Sequence, residues 1–174
     1  IENKIDSACT RFIKYTASTK KMPKCMFLHA DSSKDLLNGE AYFDERSFNI
    51  QKALLGIGPK DKKQLGEGVY DLYGIANKMF DVTSIQFALH YMFKDTVSLH
   101  TFLRNVSNFT KIGGHFIGTC YDGKRMFKYL EKVELDGSRN IIIKDKKFNS
   151  VIKKYDNEEF LDDETCVGYE ISVY

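Results

Sequence analysis

The sequence lacks a strong excess of charge of either sign. Its 26 lysine and arginine residues nearly cancel its 24 aspartate and glutamate residues. A protein that grips nucleic acid over most of its surface carries a marked positive excess, so any RNA contact here is expected to be local. The sequence also lacks an apolar run near the roughly 20 residues of a membrane-spanning helix, and it shows no signal peptide. We therefore expect an intracellular protein with no membrane partner.

Paired cysteines are missing as well. The four cysteines are scattered, with no Cys-x-x-Cys pair and no histidine spaced for zinc; they are Cys9, Cys25, Cys120 and Cys166. This pattern predicts buried, reduced thiols in a reducing compartment and no metal site. The length of 174 residues fits one domain with a core of its own.

Apolar periodicity predicts alternating helices and strands of an α/β fold. Helical spacing begins at Ile1 and predicts an amphipathic helix that ends near Ser18. Further helices are predicted over residues 69–77, from Asp95 and after Gly123. Buried strands are predicted over 25–28, at the start of 80–93 and over 115–120, and antiparallel strands are predicted after residue 140.

Residues 39–68 are polar and punctuated by glycine, which predicts an excursion made mostly of loop. It contains a short lysine cluster at 60–63. Such a cluster either forms a solvated surface or contacts RNA phosphates, and the first is the commoner outcome.

The segment 80–93, FDVTSIQFALHYMF, begins as a parallel strand and then breaks into polar residues. In open α/β sheets ligands bind beyond the carboxyl ends of the strands, so Gln86, Phe87, His90 and Tyr91 are expected to line a cleft. Rings stack on aromatic faces while amide and imidazole groups read ring edges, so the set suits a planar heterocycle. The alternative is that the aromatic side chains pack at the core or rim and that the histidine is a hydrogen-bonded structural residue.

Asp31 and Ser32 follow the strand predicted over 25–28. A carboxylate and a hydroxyl at a strand end can exchange hydrogen bonds with an adenine edge. The alternative is that either residue merely caps the next turn.

Three motifs in order resemble the mRNA cap guanine-N7 methyltransferases, in particular the forms encoded by large DNA viruses. The first, Ala-Asp-Ser-Ser-Lys, lies at 30–34. The second matches at Phe80-Asp81, Gln86-Phe87, His90-Tyr91 and Phe93. The third comprises Arg-Asn, Gly-Gly and Phe-Ile-Gly-Thr at 104–105, 113–114 and 116–119.

The resemblance implies a partial Rossmann-like class I S-adenosylmethionine-dependent methyltransferase fold with a C-terminal antiparallel strand extension. The family transfers a methyl group from S-adenosylmethionine to N7 of the cap guanine. Carried over by position, Asp31, Ser32 and Gln86 would hold the cofactor, Phe87 and His90 would face the guanine, and Tyr91 would contact both. No catalytic acid or base is implied, because N7 carries a free lone pair and needs only alignment.

Further partners follow from the same resemblance: the capped 5′ end of mRNA, adjoining capping-enzyme domains and an activating subunit. The expected location is the cytoplasm or viral factory for a viral protein, and the nucleus for a cellular one. Tyr121 stands where many cellular members have proline. It either replaces a cap contact or lines the turn.

Ile1 and Tyr174 both look internal to a longer sequence. The family's glycine-rich cofactor loop is expected before Ile1, and a further guanine contact after Tyr174. Residues 1–174 are thus expected to form an incomplete cap methyltransferase domain that binds S-adenosylmethionine weakly or not at all and is inactive alone. Two other functions stay open: methylation of another substrate, such as tRNA or a small molecule, and a non-catalytic scaffold subunit.

Overall fold

The computed structural model describes residues 7–19 and 21–174. Helices in these ranges are α1 Ala8–Ser18, α2 Glu45–Leu54, α3 Lys62–Leu65, α4 Glu67–Tyr70, α5 Thr96–Phe109 and α6 Gly123–Leu130. Two 3-10 helices span Leu89–Lys94 and Glu164–Cys166. Aspartates start three of the longer helices, because a carboxylate satisfies a free N–H of the first turn: Asp44, Asp95 and Asp122 cap α2, α5 and α6.

The strands form two sheets. In the first, β1 Phe80–Ile85 and β2 Thr110–Gly118 run parallel. In the second, β3 Ser138–Ile143, β4 Lys146–Lys153 and β5 Ile171–Val173 run antiparallel in that order. The predicted α/β class, with a parallel sheet and an antiparallel extension after it, is confirmed.

The register of the parallel pair is irregular at one end and regular at the other. Phe80 lies opposite Thr110, whereas Val82 already lies opposite His115, so β2 bulges over residues 111–114. From Val82 onward the pairing is regular, and it ends with Ile85 opposite Gly118. A side chain at Gly118 would place its Cβ 3.2 Å from the carbonyl oxygen of Ile85, so glycine permits the close approach of the two strand ends.

Helix α5 is the crossover that two parallel strands require, and it packs on both of them. Its buried Phe102 meets Phe116 of β2 edge to face, with ring centroids 5.9 Å apart. The second sheet packs on α6 around Leu130 and Val151, both fully buried, and Tyr155. Tyr155 stacks on Tyr169 at 5.2 Å.

The strand predicted over 25–28 is wrong. These residues form no ladder, and the only pairing nearby is an isolated bridge between Ala30 and Tyr42. An apolar run becomes a strand only where another strand offers free N–H and C=O groups, and the described residues offer it none. Helix α1 begins at Ala8 because Ser7 has extended backbone angles and caps it. The predicted helix positions at Ile1 and Ile5 lie outside the described residues.

The excursion over 39–68 is not mostly loop, since α2, α3 and the start of α4 together take up just over half of it. The helix predicted over 69–77 is also largely wrong: α4 ends at Tyr70, and hydrogen-bonded turns follow. Within the lysine cluster, Lys62 forms an ion pair with Glu67 at 2.8 Å. Contact of the cluster with RNA stays a prediction.

The predicted burial of the strands and cysteines is wrong as well. Phe80 and Val82 of β1 are 44% and 49% exposed, because the helices packed on this two-stranded sheet, α5 among them, leave part of it open to solvent. The cysteines are exposed or half-buried. Among the described helices, none has the length and apolar character to cross a bilayer.

Candidate functional site

The carboxyl ends of β1 and β2 meet in a small hydrogen-bonded network. Gln86 and Phe87 follow β1 directly, and Thr119 follows β2. The Thr119 hydroxyl accepts from the Phe87 backbone N–H at 2.8 Å and donates to Gln86 Oε1 at 3.1 Å. Gln86 Nε2 in turn donates to Ser84 Oγ at 2.9 Å. The amide of Gln86 is thereby held at both ends at the edge of the sheet where α/β proteins bind ligands.

His90, in the 3-10 helix that follows Phe87, lies near two aromatic rings. The His90 ring centroid lies 4.3 Å from that of Tyr91 and 5.5 Å from that of Tyr121. Phe87 and Tyr91 are 79% and 66% exposed, so neither is a core residue. The segment thus presents open ring faces to solvent, as a stacking platform requires.

Two features mark this segment as unusual for a purely structural element. Phe87 has a φ of +55°, a left-handed conformation that costs a non-glycine residue free energy. The Nδ1 atom of His90 is shielded from solvent and has no hydrogen-bond partner in the described part of the chain. Buried polar atoms are nearly always paired in proteins, so an unpaired one is compatible with a water or a ligand as its partner. The described residues form no side-chain hydrogen bond with His90, and whether it is a ligand contact or a structural histidine stays a prediction.

Asp31 and Ser32 lie in a turn that follows the bridge at Ala30. Asp31 Oδ1 accepts from the Ser33 N–H at 3.0 Å and from the Ser33 hydroxyl at 2.7 Å. The hydroxyl contact, together with the backbone bond, lowers the pKa of Asp31 below its usual value, so the side chain is a carboxylate at neutral pH. The capping role predicted as the alternative is thus real for Oδ1, whereas Oδ2 has no hydrogen bond within the described ranges.

A buried asparagine of α5 holds this turn. Asn105 is 4% exposed, and its amide donates to the Ser32 carbonyl at 3.1 Å and to the Lys34 carbonyl at 2.7 Å. Its Oδ1 accepts from the Leu36 N–H at 3.2 Å. Three backbone groups of the turn are therefore tied to the helix that also packs on β1 and β2.

The predicted site residues fall into two groups. Gln86, Phe87, His90 and Tyr91 are together at the end of β1, and Asp31 and Ser32 are together in the turn held by Asn105. Helix α5 packs on β1 and on the 3-10 helix that carries His90 and Tyr91, so it links the groups. No hydrogen bond between the two groups occurs in residues 7–19 and 21–174.

The family model of the mRNA (guanine-N(7))-methyltransferase domain matches residues 2–141, which contain both groups. The chain belongs to this family.

Curated relatives carry related descriptions. An mRNA cap guanine-N(7) methyltransferase of Caenorhabditis briggsae is 51% identical over 47 residues, which are 27% of this chain and 12% of that protein. The Saccharomyces cerevisiae protein of the same description is 37% identical over 82 residues, 45% of this chain and 19% of that protein. A probable mRNA-capping enzyme of Acanthamoeba polyphaga mimivirus is 27% identical over 126 residues, 72% of this chain and 10% of that protein. The chain thus matches only about a tenth to a fifth of the length of these relatives.

Three contributors to the candidate site were given no role from the sequence, although Asn105 and Thr119 lie in the third motif: Ser84, Asn105 and Thr119. The signal for Thr119 was present, because the carboxyl ends of adjacent parallel strands meet at one edge and Thr119 follows β2 as Gln86 follows β1. Asn105 was marked only as part of the Arg-Asn match at 104–105, which gave it no structural role. A polar residue on a helix reads as solvent-facing until its partners in a distant turn are known.

Proposed function

We propose that this domain takes part in methyl transfer from S-adenosylmethionine to N7 of the guanine that caps mRNA. The observation that carries the proposal is the arrangement at the end of β1, in a chain of this family. There an oriented amide, a half-buried imidazole and open aromatic faces converge on one edge of the sheet. Such a surface suits a flat base that needs both stacking and edge contacts.

The guanine is placed against Phe87, His90 and Tyr91. Phe87 and Tyr91 offer the most exposed rings of the segment, and the His90 ring lies against Tyr91 and near Tyr121. A cap guanine methylated at N7 becomes cationic, and aromatic faces favour such a cation. Tyr121 lies close enough to His90 to be part of this wall, which favours the role of a cap contact over that of a residue lining the turn alone.

The cofactor is placed between the 31–33 turn and Gln86. The residues present fit an adenosine group: Asp31 Oδ2 and the Ser32 hydroxyl make no hydrogen bond to the described residues, so each is available to a ligand. The carboxylate accepts from an exocyclic amine, and its lowered pKa keeps it able to do so at neutral pH. Tyr91 would lie between the cofactor and the guanine.

The chemistry asks little of the side chains beyond position. Guanine N7 attacks with its own lone pair, so no proton needs to be removed and no residue needs to act as a base. The rate gain comes from holding nucleophile, methyl carbon and sulfur in line, and such alignment alone can supply several kcal/mol. Residues that fix the two ligands therefore set the rate, and no catalytic residue is assigned.

The two other functions predict different behaviour. A methyltransferase for tRNA or a small molecule would transfer methyl groups to those substrates in a panel, and a scaffold would fold and bind a partner without transfer. The family match favours the cap substrate. Adjoining capping domains, an activating subunit and the compartment stay predictions of the sequence.

The test is methyl transfer by the full-length protein of the source gene to GpppA-capped and uncapped RNA. His90→Ala and Tyr91→Ala are each expected to weaken cap binding by about 1–3 kcal/mol, the usual worth of a stacked ring, and to lower transfer. His100→Ala and Tyr15→Ala are matched controls, because both side chains are exposed and belong to neither group. Transfer that does not depend on the cap, or that survives both site substitutions, would refute the proposal.

A further inference from the structure

One hydroxyl connects the two strand ends at the candidate site. The backbone N–H of Thr119 donates to the Ile85 carbonyl at 3.1 Å, which fixes Thr119 against the last residue of β1. Its side chain then accepts from the Phe87 N–H at 2.8 Å and donates to Gln86 Oε1 at 3.1 Å. Thr119 is itself exposed, so these bonds define its role better than burial does.

The hydroxyl pairs with the acceptor end of the Gln86 amide. The Thr119 oxygen accepts from the Phe87 N–H, and its single proton is donated to Gln86 Oε1. The donor end turns toward Ser84.

The same hydroxyl also holds the strained backbone at Phe87. A φ of +55° is unfavourable for a phenylalanine and persists only where surrounding bonds hold it. The Phe87 N–H bond to Thr119 is such a restraint, and it acts from the neighbouring strand. Without it, the ring of Phe87 is expected to leave its present direction.

We propose that Thr119 is a positioning residue for both ligands of the methyl transfer. Through the Gln86 amide it acts on the cofactor, and through the Phe87 backbone it acts on the cap guanine. This inference rests on the proposed function, and it adds a residue whose side chain is assigned to neither ligand.

The test compares Thr119→Val with Thr119→Ser in the full-length protein. Valine keeps the size and branching and removes the hydroxyl, whereas serine keeps the hydroxyl. Thr119→Val is expected to lower kcat/KM for capped RNA by roughly tenfold to a hundredfold, the scale of one or two lost hydrogen bonds, and to raise the KM for S-adenosylmethionine. Thr119→Ser is expected to stay within about threefold of the wild type, because it restores both bonds.

Thr110→Val is the matched control. Thr110 begins β2, and its hydroxyl bonds to Thr83 Oγ1 of β1 at 2.9 Å, so the same change is made between the same strands away from the site. Its KM values are expected to equal those of the wild type. Hydrogen exchange supplies a ligand-free readout: the Phe87 amide should exchange faster in Thr119→Val and not in Thr119→Ser.

The outcomes distinguish failure of the proposed function from failure of the inference about Thr119. A wild-type protein without cap-dependent transfer refutes the proposed function. An active wild type that Thr119→Val matches refutes the inference alone. Equal loss in Thr119→Val and Thr119→Ser also refutes it, since serine keeps the hydroxyl and would then fail to preserve activity.

Discussion

Asn105 offers a direct test of how the 31–36 turn is held. Its side chain makes three hydrogen bonds to backbone groups of that turn, between 2.7 and 3.2 Å, from a position that is 4% exposed. Asn105→Ala removes all three. At about 1 kcal/mol net for each bond, the free energy of unfolding is expected to fall by about 3 kcal/mol.

Asn105→Asp distinguishes the contribution of the two bonds that the Asn105 amide donates from that of the one it accepts. The aspartate keeps an oxygen for the Leu36 N–H, but it places an oxygen against the carbonyls of Ser32 and Lys34, which need donors. We expect a loss of about 2 kcal/mol or more, because two bonds are replaced by repulsion in a buried place. The loss should grow as the pH rises and the carboxyl ionises.

The assay is urea unfolding followed by hydrogen exchange at the Leu36 amide. Asn108→Ala is the matched control: Asn108 also lies on α5 and is half-buried, and its side chain makes no hydrogen bond to the described residues, so about 0.5 kcal/mol or less is expected. The hydrogen-bonding role of Asn105 is refuted if Asn105→Asp is as stable as the wild type, or if the Leu36 amide is as well protected in Asn105→Ala as in the wild type.

Three further predictions concern the strained residue, a helix cap and the core. Phe87→Gly should change the free energy of unfolding by no more than about 1 kcal/mol, because relief of the positive φ offsets the greater chain entropy of glycine in the unfolded state. The same substitution should weaken cap binding by about 1–3 kcal/mol. A much larger loss of stability in denaturation would show that the ring is packed. The hydrogen bond from the Ser98 N–H lowers the pKa of Asp95 in the folded state. The stability that the Asp95 carboxylate provides is therefore present above its unfolded-state pKa and is lost as the pH falls through its folded-state pKa. Asp95→Asn should flatten the fall in stability below about pH 4, and an unchanged dependence of stability on acid pH would contradict this. Leu130→Ala should cost about 2–5 kcal/mol by thermal or urea unfolding, against less than about 1 kcal/mol for the exposed control Ile142→Ala, and equal costs would place the core elsewhere.

Local patterns predicted the elements that carry their own stabilising contacts. Asp95 and Gly123 marked the starts of α5 and α6, because a capping carboxylate precedes each first turn. The alternation after residue 140 gave the antiparallel strands, whose pairing is mostly between sequence neighbours. The placing of Gln86, Phe87, His90 and Tyr91 at a strand end followed from the break in the pattern of β1.

Features that depend on distant partners were not predictable in this way. Residues 25–28 look like a strand, but strand formation needs an edge that local sequence does not reveal. Helix α2 was hidden because Gly39 and Gly56 flank it closely and suggested loop throughout. Asn105 and Thr119 act across long separations in sequence, so their roles appear only when the turn and the strand ends are seen together.

The bulge at 111–114 divides β2 into two parts that pair with β1 independently. Phe80 pairs with Thr110, and the regular pairing starts afresh at Val82 and His115. A residue gained or lost inside the bulge changes its size and leaves the alignment from His115 to Gly118 with β1 as it is. Ile112, fully exposed at the tip, has no packing that would resist such a change. Changes of chain length are therefore expected at Ile112 rather than at Gly114, where a Cβ would lie 2.9 Å from the Asp81 carbonyl oxygen, and they leave Thr119 beside Gln86.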